Sequence, residues 1–141
     1  MTETPGGVRQ RPRATAQALG GGPALFAGCA LELSGTLSIL FGVSGIADDT
    51  IFRSSRYVYR FDLTAWGWLH LVIGVGLVAA GLSVLAGKSW GAGVGIALGA
   101  VSLITQFMFI PYYPVWSVIV MTLDLLAIWT LARFVVPFGD D

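Results

Sequence analysis

From Ala65 to Ala86 the chain carries no charged side chain apart from a titratable His70. A run of that length exceeds the roughly 20 residues that cross a hydrocarbon core of about 30 Å as a helix. Its entrance, Phe61-Asp62-Leu63-Thr64-Ala65-Trp66-Gly67-Trp68-Leu69-His70, has the makings of a membrane interface. Asp62 or Thr64 can cap the first free N–H groups, and a carboxylate there suits the positive end of the helix dipole. Trp66 and Trp68 follow at headgroup depth, where an apolar ring with one N–H donor is best accommodated. His70 lies just below them, inside the membrane.

Three further runs of the same kind fix the class. They cover 24–47, interrupted by Glu32, then 90–110, and 115–136 with Asp124 near its centre. A central Asp costs about 2.5–3.5 kcal/mol on the insertion scale, and each Leu, Ile, Val or Phe returns about 0.3–0.6, so the last run still inserts. A cleaved leader is the competing reading of the first run, because arginines precede it. Leader cores are shorter, about 7–15 residues, and a central Glu32 does not suit one. Charged residues make up only 11% of the 141-residue chain, against about 25% for a soluble domain. The expected fold is therefore an all-α membrane protein, a four-transmembrane-helix antiparallel bundle with helices at about 24–47, 65–87, 90–110 and 115–136. The turns at 87–89 and at Pro111-Tyr112-Tyr113-Pro114 are tight, so the second, third and fourth helices are sequential neighbours.

Outside the 23–136 membrane domain, residues 1–22 read as a disordered cytoplasmic tail and 137–141 as a short C-terminal one. Residues 48–63, in which Tyr57, Tyr59 and Phe61 alternate with Arg56, Val58 and Arg60, read as a membrane-hugging connector, with a ligand lid as the alternative. With the N-terminus inside, Arg9, Arg11, Arg13, Lys88 and Arg133 are cytoplasmic, and Arg53, Arg56 and Arg60 are outside. That bias favours a multi-pass protein of the plasma membrane with both termini cytoplasmic. Trp66, Trp68, Tyr112, Tyr113 and Trp116 then form an aromatic belt on the outer side.

Glycines recur every seven residues in two helices, at 28, 35 and 42 and at 67, 74 and 81, and every four in the third, at 91, 95 and 99. Small residues at such spacing let neighbouring membrane helices approach closely. The intramembrane polar residues Glu32, His70, Gln106 and Asp124 form the candidate site, with Ser34, Thr36, Ser38, Ser102, Thr105 and Thr122 as possible partners. Ionisable groups at that depth are functional candidates, although polar side chains also act as interhelical glue. Two pairings are expected from depth alone: His70 with Gln106, and Glu32 with Asp124 as a carboxyl pair that holds at most one charge.

Several functions are excluded or disfavoured. A formal net charge of zero gives no footprint for nucleic acid. The single cysteine, Cys29, provides neither a disulfide nor a redox pair. One histidine is too few for a zinc site or bis-histidine haem, with a lone axial haem ligand left open, and no phosphate loop is present. No enzyme activity and no cofactor are expected. The expected partners are the lipid bilayer and either a second copy or another membrane protein. The functional expectation is a non-catalytic membrane module or accessory subunit; the alternative is a small proton-coupled exporter that uses the intramembrane carboxyls.

The Trp66-Gly67-Trp68-Leu69-His70 element and the stretch Gln106-Phe107-Met108-Phe109-Ile110-Pro111-Tyr112-Tyr113-Pro114-Val115-Trp116, with Asp124 following, resemble a family of small four-helix membrane proteins common in actinobacteria. The resemblance covers roughly residues 25–133 and does not extend its support to Glu32. It implies an integral membrane protein of the cell envelope. The family has no assigned activity, so the resemblance implies none.

Overall fold

The computed structural model describes residues 21–47 and 63–135. The expected C-terminal tail, all of the expected 1–22 tail but residues 21 and 22, and nearly all of the 48–63 connector lie outside them; Gly22 is already helical. The described chain is four helices: α1 (Gly22–Ala47), α2 (Leu63–Leu85), α3 (Ser89–Phe109) and α4 (Pro114–Thr130). Each is long and apolar enough to cross a membrane. Each packs on the next, and α4 returns to α1, so the fold is a closed up-and-down bundle. We therefore describe it as a small multi-pass membrane protein in a lipid environment.

Local chemistry accounts for the turns. Gly87 takes φ +75°, the left-handed conformation that glycine adopts without a Cβ clash. Around it Gly87 N–H bonds Val84 C=O at 3.0 Å and Lys88 N–H bonds Ser83 C=O at 2.8 Å. These are the two bonds of a Schellman cap, and they reverse the chain into α3 within a few residues. At the other end Tyr112 and Tyr113 N–H both bond Phe109 C=O, at 3.0 and 3.2 Å, and Pro114 opens α4, where its missing N–H is not needed. After Thr130 the helix loosens into a π-helical turn, Leu131–Val135, which no sequence pattern announced.

The glycine heptads of α1 and α2 meet each other. A methyl group built on Gly35 would stand 2.8 Å from Gly74 O, and one on Gly42 would stand 2.6 Å from Gly67 O. One built on Gly81 would stand 3.0 Å from Gly28 O and 2.8 Å from the Glu32 carboxyl. The two backbones are thus in contact along three successive pairs, and α1–α2 is by far the most extensive interface of the bundle. Without a hydrophobic force between helices in lipid, close backbone packing of this kind holds membrane helices together.

The interior has two halves. Towards the 86–88 turn it is apolar: Leu31, Leu77, Ala80, Ala127 and Leu131 are fully enclosed. Leu31 and Leu131 fill the space over Gly95, where a built methyl group would stand 2.8 Å from Leu31 Cδ1 and 3.2 Å from Leu131 Cδ1. Towards the 110–113 turn the interior is polar and then aromatic.

Candidate functional site

A buried polar column occupies that second half. Ser34, Ser38, His70, Ser102, Gln106, Ser117 and Asp124 are all buried, and they come from all four helices. Helical spacing explains why they converge. Ser34 and Ser38 are one turn apart on α1, Ser102 and Gln106 one turn apart on α3, and Ser117 and Asp124 two turns apart on α4.

Asp124 is the base of the column. Ser34 Oγ donates a short hydrogen bond to Asp124 Oδ1, and the Ser102 side chain is a second hydrogen-bonding neighbour of the same carboxyl. One residue thereby ties α4 to both α1 and α3. At about 1.5 Å per residue, Ser38 and Gln106 stand roughly 6 Å above this level and Ser117 roughly 10 Å above it. His70 stands beside the rings that close the top.

Those rings form an aromatic cap. Phe41 lies edge-on to His70 at 5.3 Å and to Phe109 at 5.1 Å, and it stacks with Trp116 at 6.2 Å. Trp66 stacks on Phe109 at 5.6 Å, and Phe109 stacks in turn on Tyr112 and Tyr113. A cavity of about 50 Å³ lies within the cap, lined by Phe41, Ser44, Gly45, Trp66, Gly67, Phe109 and Tyr113.

The expected belt therefore splits between two faces. Trp68 is 55% exposed, as a lipid-facing belt residue should be, but Trp66 is buried against Phe109. Two residues apart on a helix are about 200° apart around its axis, so the two indoles share a depth and not a face.

Neither expected pair forms. His70 Nδ1 is 3.2 Å from Trp66 O one turn back, and its Nε2 has no partner; both polar atoms of the Gln106 amide also lack one. Glu32 and Asp124 are separated for the reason that separates the two tryptophans. Ser34, which bonds Asp124, lies two residues from Glu32 and so projects from nearly the opposite side of α1. Glu32 turns to the outer edge of the α1–α2 pair against Gly81, where it is half-buried and its Oε1 has no partner.

Among the other polar residues, Thr36 and Thr122 face outward and bond the carbonyls of Glu32 and Val118 in their own helices. Thr105 is buried but satisfied by Ser102 O. The sequence reading missed Ser117, Phe41 and Phe109. Ser117 was findable, since it lies seven residues before Asp124 and hence on its face. Among the described residues no three of His, Cys, Asp and Glu come together as a metal site.

The profile of a domain of unknown function, DUF7144, matches residues 23–135, which is the whole helical bundle. No curated protein and no solved structure matches the chain.

Proposed function

The chain belongs to the DUF7144 family, and we propose that it is a non-catalytic membrane module that packs laterally against another membrane segment. Glu32 carries this reading. It lies ten residues into α1, about 15 Å from that end and hence near the middle of a core of about 30 Å. Its carboxyl is half-buried at the bundle's edge, and one of its oxygens is enclosed without a partner. An ionisable group at that depth is costly unless something pairs with it. A donor from a neighbouring helix would satisfy it, and the exposed Leu25, Cys29 and Thr36 on the same side of α1 would form the rest of the contact.

The lone cysteine makes the contact measurable. A benzophenone maleimide on Cys29, photolysed in native membranes, should yield an adduct larger than the chain. Its yield should survive Glu32→Gln, which keeps hydrogen-bonding atoms, and fall with Glu32→Leu. An adduct of two copies identifies a homo-oligomer, and one of another mass identifies an accessory subunit. The chain recovered only as a monomer overturns the reading.

We place both termini on the cytoplasmic side. Lys88 and Arg133 lie at one end of the bundle, where Arg133 sits over the Trp129 ring at 5.5 Å, as expected of basic residues at an inner interface. Reporter fusions after residue 55 and after Asp141 should report outside and inside respectively, and an external C-terminus would reverse the assignment. A proton-coupled exporter draws less support from the geometry. Its proton site called for Glu32 beside Asp124, and the layer of Leu31, Leu77 and Leu131 stands between Asp124 and the 86–88 end.

A further inference from the structure

Ser38 Oγ, His70 Nε2, both polar atoms of the Gln106 amide, Ser117 Oγ and Asp124 Oδ2 are enclosed and without a protein partner. Buried polar groups are almost always hydrogen-bonded, and where protein supplies no partner, ordered water does. The contrast within the bundle is specific. Ser83, Thr105 and Thr130 are also buried, yet each bonds a carbonyl of its own helix. Glu32 Oε1 at the bundle's edge and the Trp116 indole nitrogen in the cap are unsatisfied too, but the column atoms are the ones that follow one another in steps of about one turn from the aromatic cap to Asp124.

We propose that this column is a hydrated chamber, open to one membrane face only, through which Asp124 exchanges a proton with that face. The cap is the entrance. Its cavity of about 50 Å³ shares Phe41, Trp66 and Phe109 with the ring contacts of His70. The cavity has room for water, but its walls are apolar, so the waters are held by the column's polar atoms beneath it and pass the cap without being held there. The floor is the packed layer of Leu31, Leu77 and Leu131, which offers water no partner.

The exchange is a reversible protonation: a chamber water takes the proton from Asp124 Oδ2 and passes it along waters held by Gln106, Ser38, Ser117 and His70 to the cap side. Ser34 of α1 and Ser102 of α3 face Asp124 and hold the carboxyl in place throughout. Among the described residues, His70 of α2 is the other titratable group of the interior. Glu32 faces outward, and Lys88 and Arg133 lie at the far end. The chamber does not depend on the lateral contact at Glu32, and either can fail without the other.

Two measurements on the reconstituted full chain test this. The first is an infrared band of protonated Asp124, identified by its loss in Asp124→Asn over a series from about pH 5 to about pH 9. In deuterated buffer this band should shift promptly in the wild type. In Gln106→Leu with Ser117→Ala it should shift about tenfold more slowly, as expected when the bridging waters lose partners. The lipid-facing Thr122→Val should match the wild type. The second uses single-cysteine chains built on Cys29→Ser, whose serine-sized substitutions leave the packing around Gln106 intact. Ser117→Cys and Ser38→Cys should react with a small membrane-impermeant thiol reagent added from the 110–113 side, and Ala127→Cys, at the floor, should not react from either side. An Asp124 band that is absent, or that exchanges equally in all variants, overturns the proposal. So does a Ser117→Cys thiol as inert as the one at 127.

Discussion

Gly74→Leu should leave α1 and α2 unable to pack, and Gly74→Ala should already cost about 1–3 kcal/mol, the usual penalty for overpacking a tight interface. A methyl group built on Gly74 would stand 2.7 Å from Gly35 O and 2.8 Å from Ile39 N. Both are backbone atoms of α1, so no rotamer change relieves the clash and the helices must separate. Separation also loosens the Gly42–Gly67 and Gly28–Gly81 contacts along the same seam. Gly93 is the control. It lies on α3 with nothing within 4 Å of a built methyl group. Gly93→Ala should therefore be neutral, or stabilising by up to about 1 kcal/mol through helix propensity. Unfolding in mixed micelles against a denaturing detergent measures both. Equal stability of the two variants would remove the glycine seam as the main support of the fold.

Asp124→Ala should destabilise the bundle by about 1–3 kcal/mol, while Asp124→Asn should cost less than about 1. The alanine leaves Ser34 and Ser102 without their shared acceptor and undoes the link from α4 to α1 and α3. Interhelical hydrogen bonds in membranes average about 0.6 kcal/mol and reach about 1.7, so two of them and a small cavity account for the range. Asparagine keeps an acceptor at the Oδ1 position. In a double-mutant cycle, Ser34→Ala and Asp124→Ala should be non-additive, because each removes the same bond. Additive losses would mean that Asp124 contributes to stability through something other than Ser34.

Glu32 and Asp124 show how much of the site was legible. Their depth followed from counting residues along two apolar runs, and both do lie well inside the spans. Their partners did not follow, because partnership depends on the direction in which a side chain leaves the helix. Depth alone makes Glu32 the principal partner of Asp124 and Ser34 a secondary one. A difference of two residues, about 200° around α1, exchanged their roles. The same angle turned Trp66 inward and left Trp68 in the belt.

Four spans and the places where the chain turns between them are legible in the residues alone. Span number follows from run length against membrane thickness, and the turns follow from Gly87, Pro111 and Pro114, whose backbone chemistry is local. The two glycine heptads are legible there too, as contact stripes. That those stripes face each other, that the polar column gathers on Asp124, and that Glu32 is left at the edge emerges when the helices pack. In water the apolar face of a helix points to the core, so hydrophobic period reveals azimuth. In lipid the outside is as apolar as the inside: Leu25, Leu33 and Leu40 of α1 are each more than half exposed, and Leu31 of the same helix is fully enclosed. Hydrophobicity then carries depth but not direction, and direction is set by which small and polar residues meet when the helices close into a ring.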